Sequence, residues 1–187
     1  MWAPVTIALL VINAAVFIIM NVYDGSTFEL GLVPSKVVRN PLSFATSSLS
    51  SMFLHAGVAH IAFNMIALIT LGRILEPHIG SKRFTMVYFA SGYAGTALHT
   101  VYVLASGHGL NNPVVGASGA IAGIIGIAAA LGDRLAIFWL VAQVPFMIFG
   151  GSSIAYFAHI GGFILGFVAG RFIKYLEKRE RMRGFYI

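Results

Sequence analysis

The sequence contains no cysteine, which removes disulfides, thiolate nucleophiles and cysteine-based metal sites. Charge is scarce too. Only 10% of its 187 residues are Asp, Glu, Lys or Arg, where a soluble domain carries about 25%. So few charges cannot build a water-facing surface. Acidic residues number six against twelve Lys and Arg. None is placed to pair with another carboxylate inside a span or to complete a catalytic triad. No apolar run holds a lysine at its middle, which excludes a serine-lysine dyad. No HExxH motif occurs, and neither a metal nor another cofactor is expected. No repeat marks a transporter built from two halves.

What remains is strongly apolar. Hydrophobic residues make up 58% of the chain, and its mean hydropathy is +0.87. Apolar runs predict helices near 2–20, 51–72, 83–106, 114–131, 134–150 and 154–175. At roughly 20 residues per span, the expectation is an all-α membrane protein, a six-helix transmembrane bundle forming one domain over residues 1–187. The first run has no basic leading segment or cleavage site, so it reads as a retained helix and not a signal peptide. Residues 21–50 mix Asp24, Glu29, Lys36 and Arg39 with Phe28, Leu30, Leu32, Val37 and Val38. That pattern suits a long loop lying partly in the membrane interface. Gly150-Gly151-Ser152-Ser153 predicts a mobile connection that gates access.

The positive charges follow the topology. From a cytoplasmic N-terminus, six spans place Arg73, Lys82, Arg83, Arg134, Arg171, Lys174, Lys178, Arg179, Arg181 and Arg183 inside, and only Lys36 and Arg39 outside. This is the positive-inside distribution. Residues 171–187 then read as a basic cytoplasmic tail that anchors topology and meets anionic lipid. No nucleic-acid partner is expected.

Against this apolar background a few polar residues stand out. Ser118 lies in Gly116-Ala117-Ser118-Gly119, near the outer end of the fourth run, and His159 near the outer end of the sixth. Both fall roughly 6–8 Å below the outer helix ends at about 1.5 Å per residue. Ala158, Gly162, Gly166 and Gly170 recur every four residues, and Gly119, Gly123 and Gly126 offer a second small-residue face. Such faces let helices approach closely in lipid. Two readings fit: the glycines merely pack, or the packing brings Ser118 to His159 as nucleophile and base. His60 and Asn64, four apart in the second run, share a helix face. They either hold the bundle together or direct N–H groups at a developing oxyanion. The spacing assigns His55 a structural role at the outer end of the second helix, His78 a place in an inner loop, and His108 one in an outer loop. His99 reads as a packed, hydrogen-bonded histidine within the third helix.

These residues resemble the rhomboid family of intramembrane serine proteases. The match rests on His60-xxx-Asn64, Gly116-x-Ser118-Gly119 and Ala158-His159-xx-Gly162-xxx-Gly166, in that order. Leu71-Gly72-Arg73-Ile74-Leu75-Glu76 also looks like the family's segment after the second helix, where a glutamate ties the inner side. The resemblance implies Ser118 as nucleophile and His159 as general base and acid. His60, Asn64 and the Ser118 backbone N–H would hold the oxyanion. Gly116 would supply the turn, and Gly162 the close contact of helices four and six. It implies an endopeptidase without a cofactor that cuts transmembrane substrates near their outer ends. The site would open to the outer side of the membrane, with a prokaryotic cell membrane the expected location and a minimal catalytic core the expected form. Two positions depart from the family pattern. Ala122 stands where many relatives carry an aromatic residue that packs on the histidine, and the first loop lacks their Trp-Arg pair. A catalytically inactive relative that binds membrane clients and a small histidine-lined channel or transporter are the alternatives.

Overall fold

A backbone in lipid can satisfy its N–H and C=O groups only within itself, so apolar runs in this chain become helices. A computed structural model describes residues 2–22, 27–149 and 155–184. Its helices, in order, are α1 (Pro4–Val22), α2 (Thr27–Leu30), α3 (Pro34–Arg39), α4 (Ser43–Ser51), α5 (Val58–Ile79), α6 (Ser81–Ser106), α7 (Ser118–Leu131), α8 (Arg134–Phe149) and α9 (Tyr156–Gly184). Among the described residues the one extended pairing is an isolated antiparallel bridge between Leu32 and Val114. The architecture is all-helical.

Among the described residues, three helices are long and apolar enough to cross a membrane: α1, α5 and the Tyr156–Met182 part of α9. Helix α7 and the Arg134–Gln143 part of α8 are apolar but shorter, and α6 carries Ser91, Thr96, His99 and Thr100. Length and composition therefore identify three of the six expected spans. The reason lies in packing. Every residue of α7 from Gly119 to Ala130 is buried, so α7 is the core around which the other helices stand and need not match lipid thickness itself.

That core is held between α9 and α6. A Cβ added at Gly162 would collide with the carbonyl oxygen of Gly119, and one at Gly166 with that of Gly123. The four-residue glycine stripe of α9 thus lies directly on the backbone of α7, an approach possible only where side chains are absent.

Several boundaries differ from expectation. The second long helix begins at Val58 and not near 51, because Ser43–Ser51 forms its own short helix and residues 52–57 turn the chain. It continues past 72 to Ile79, so His78 lies in its last turn and not in a loop. Glu76, within that extension, reaches the start of α1. It accepts from the backbone N–H groups of Val5 (2.9 Å) and Thr6 (2.7 Å) and from the hydroxyls of Thr6 (2.7 Å) and Ser81 (2.7 Å). The fourth long helix begins at Ser118 and not near 114, since Val114 pairs with Leu32 and Gly116 turns the chain at φ 125°. Helix α9 runs on to Gly184. Its basic residues beyond Arg171 continue the helix, as Lys, Arg and Glu are good helix formers.

The connection over residues 21–50 is not a plain loop, for it contains α2, α3 and α4. It is pinned without a Trp-Arg pair. Val114 N–H donates to the Leu32 carbonyl (2.7 Å), Ser35 N–H to the Leu110 carbonyl (2.9 Å), and the Ser50 hydroxyl to the Leu30 carbonyl (2.6 Å). The expected gate at Gly150 to Ser153 lies outside the described residues.

Candidate active site

Ser118 is the first residue of α7, a position dictated by the residues just before it. Gly116 adopts φ 125°, a left-handed conformation that only glycine takes without strain. Its N–H donates to the Ser51 carbonyl (2.8 Å), which fixes the turn against the end of α4. The turn sets the Ser118 hydroxyl at the mouth of the helix. It also leaves the first N–H groups of α7 without intrahelical partners, where the helix dipole favours negative charge.

His159 sits in the first turn of α9. Because α9 lies on α7 through Gly162 and Gly119, its ring reaches the serine. His159 Nε2 is 2.9 Å from Ser118 Oγ. The opposite ring nitrogen, Nδ1, is 2.9 Å from Oε1 of Gln143 on α8. The Gln143 Nε2 amide in turn donates to the Trp139 carbonyl at 3.3 Å. Trp139 and Tyr156 flank the imidazole, with ring centroids 5.8 and 6.3 Å away. Ala122 is buried within α7 and offers the ring nothing comparable.

His60 and Asn64 reach the same place from α5. The Ala56 N–H donates to His60 Nδ1 (3.3 Å), so in the neutral ring the hydrogen belongs on Nε2. That nitrogen faces the turn: the Cβ that Gly116 lacks would lie 2.8 Å from His60 Nε2 and 3.6 Å from Ser118 Oγ. Asn64 is buried, and its side-chain amide donates to the His60 carbonyl (2.8 Å). An amide nitrogen carries two hydrogens, so a second is free to donate. His60, Asn64, Gly116, Ser118, Gly119 and His159 all line one cavity of about 680 Å³.

Other histidines fall elsewhere. His55 precedes α5 instead of opening it, and is buried with its ring edge-on to His60, centroids 5.1 Å apart. Neither of its nitrogens has a hydrogen-bond partner among the described residues. His99 is packed in α6, and its Nδ1 has no hydrogen-bond partner among the described residues. Gly166 lies deeper on the α9 stripe and serves the helix contact alone.

The residue that sequence reasoning missed is Gln143. Its signal was available: it is the one amide in the otherwise apolar run from Leu135 to Phe149, and a polar side chain in such a helix calls for a partner inside the bundle.

A serine hydroxyl against an imidazole, beside a helix N-terminus and further N–H donors, is the equipment of acyl transfer. Comparison with known proteins gives the family. A sequence model of the Rhomboid domain matches residues 44–175. The Rhomboid protease GluP of Bacillus subtilis (strain 168) is 31% identical over 177 residues, covering 88% of this chain and 34% of that protein. Rhomboid protein 1, mitochondrial, of Saccharomyces cerevisiae is 28% identical over 199 residues, covering 94% of this chain and 55% of that protein. Rhomboid-type serine protease 2 of Emericella nidulans is 33% identical over 130 residues, 64% of this chain and 25% of that protein. The chain belongs to the rhomboid family. With its apolar helices α1, α5 and α9, it is an integral membrane protein. It spans only part of the length of these relatives, from 25% to 55%. They include bacterial and mitochondrial proteins, so the similarity does not favour the prokaryotic membrane expected from the sequence.

Proposed function

We propose that the protein is an intramembrane serine endopeptidase that hydrolyses peptide bonds in or near transmembrane segments of other membrane proteins. The observation that carries this reading is the 2.9 Å contact between His159 Nε2 and Ser118 Oγ. Relatives named as proteases support it.

In the proposed reaction, Ser118 Oγ attacks the scissile carbonyl carbon while His159 Nε2 takes its proton. The negative charge that develops on the carbonyl oxygen meets the Ser118 N–H at the start of α7, with His60 Nε2–H and the free Asn64 amide hydrogen beside it. Collapse of this intermediate breaks the C–N bond, and His159 returns the proton to the leaving amine. Water then attacks the serine ester carbonyl, losing a proton to His159; the bond between that carbon and Ser118 Oγ breaks, His159 returns the proton to Oγ, and the new carboxyl end leaves. A transmembrane helix must first unwind locally, since its carbonyls are already hydrogen-bonded. Substrates therefore carry small or helix-breaking residues at the cut. The six long helices span the membrane in this reading, the termini are cytoplasmic, and the cavity opens to the outer side, as the basic residues direct.

Fluorophosphonate labelling of the detergent-purified protein tests the proposal. Wild type should label, while Ser118→Ala and His159→Ala should not. A folded wild type that neither labels nor cuts a reporter membrane substrate would overturn it in favour of a client-binding relative. Ion flux through liposomes that persists in Ser118→Ala would favour a channel.

A further inference from the structure

The imidazole of a serine hydrolase works only in one tautomer: the nitrogen facing the serine must carry a lone pair. In many such sites a carboxylate selects that tautomer. Here none is present among the hydrogen-bond partners of His159, whose Nδ1 meets the amide of Gln143. We infer that Gln143 is the positioning residue of this site, fixing His159 in the Nδ1–H tautomer and in register with Ser118. The inference rests on the proposed serine-histidine chemistry.

The assignment follows from donor and acceptor counting. A primary amide has one accepting and one donating end. The Trp139 carbonyl only accepts, and it lies 3.3 Å from Gln143 Nε2, so the NH₂ end belongs there. Oε1 therefore faces His159 Nδ1 at 2.9 Å. An amide oxygen only accepts, so Nδ1 must hold the hydrogen. In a neutral ring this leaves the lone pair on Nε2, which faces the Ser118 hydroxyl at 2.9 Å. The three hydrogen bonds run in one direction, from Ser118 through His159 and Gln143 to the main chain of α8, and each polarises the next.

The arrangement also suits its surroundings. Gln143 is 8% exposed, so water competes little for Nδ1. A neutral amide avoids the desolvation penalty that a buried carboxylate would carry. Trp139 lies four residues before Gln143, so the side chain bonds back to its own helix and its rotamer is restrained. When His159 takes the serine proton, the same Nδ1–H donates to Oε1 from a cation, and the bond strengthens. Ala122 supplies no aromatic support, and Gln143 holds the ring at Nδ1 while Ser118 meets it at Nε2.

The test compares Gln143→Met, which keeps the side-chain length without the acceptor, with Gln143→Glu, which restores one. Three readouts are taken: kcat and KM on a reporter membrane substrate, the melting temperature, and nitrogen-15 spectra of histidine-labelled protein. His159→Ala assigns the His159 signals. Wild-type His159 should show a protonated Nδ1 and an unprotonated Nε2. Gln143→Met should mix the tautomers and lower kcat roughly ten- to a hundredfold, part of the 10²–10⁴ that a general base contributes, with KM changed less than about twofold. Gln143→Glu should recover most of the lost kcat. If the Met variant fails to fold, Gln143→Asn withdraws the acceptor by one methylene and is held to the same outcomes. A folded variant lacking the acceptor but keeping wild-type kcat and tautomer would overturn the inference. The spectra need no turnover, so a wild type that fails to label overturns the dyad reading separately, whatever tautomer His159 shows.

Discussion

Gly162 of α9 lies so close to the backbone of α7 that a Cβ there would collide with the carbonyl oxygen of Gly119. Ser118 precedes that carbonyl by one residue and His159 precedes Gly162 by three, so one backbone contact sets the spacing of the serine and the imidazole.

Gly162→Ala should therefore weaken the site more than its size suggests. A backbone oxygen cannot rotate away as a side chain can, so overpacking of about 1–3 kcal/mol is expected. Labelling of Ser118 should fall by about five- to a hundredfold, since about 1.4 kcal/mol is a factor of ten in rate. Gly119→Ala is the contrast. Its Cβ would sit 3.5 Å from the Ala158 carbonyl oxygen, an ordinary contact, and alanine gains about 1 kcal/mol in helix propensity. Its melting temperature should match or exceed wild type. Equal melting temperatures for the two variants would remove the contact as the cause.

Gly116→Ala should cost activity for two reasons acting at one atom. The residue would be held at φ 125°, a strain of about 1–3 kcal/mol, and its Cβ would lie 2.8 Å from His60 Nε2. The turn and His60 must both shift, so kcat should fall by at least about tenfold, as a barrier rise of about 1.4 kcal/mol requires. Steady-state cleavage of a reporter substrate measures it.

Loss of His60 should act on the transition state and not on substrate binding. Removing one oxyanion donor typically lowers kcat by about 10²–10³. His60→Ala is expected near the lower figure because the Ser118 N–H and Asn64 remain, with KM within about twofold. A change confined to KM would instead assign His60 to binding the substrate.

Glu76 should matter for stability and little for chemistry. It is 1% exposed and accepts from Val5, Thr6 and Ser81, which places its charge at the N-terminus of α1. Glu76→Ala would leave those donors unpaired and should destabilise the fold by about 2–4 kcal/mol. Thermal unfolding in detergent measures this. Labelling of Ser118 well below the melting temperature should fall less than about threefold, and a larger loss would tie α1 to the site itself.

Much of this site was legible before any coordinates. Ser118, His159, His60 and Asn64 are polar residues in apolar runs, and such residues stand out because lipid penalises them. The α9 stripe was equally visible as a four-residue recurrence of small side chains. Gln143 stood in the same kind of run but went unread, because a single amide with no periodic partner does not say which helix it will face.

The sequence by itself determined that the chain lies in a membrane, that its elements are helices, and which residue types are available for chemistry. Those properties follow from composition and period, which are local. Only the tertiary structure decided that α7 is a buried core helix starting at Ser118 and that Glu76 crosses to the N-terminus of α1. It alone paired Leu32 with Val114 in place of a Trp-Arg anchor, and turned Gln143 toward the back of His159. These relations join residues from 16 to 82 positions apart. They are set by which helix faces can approach, and no local pattern carries that information.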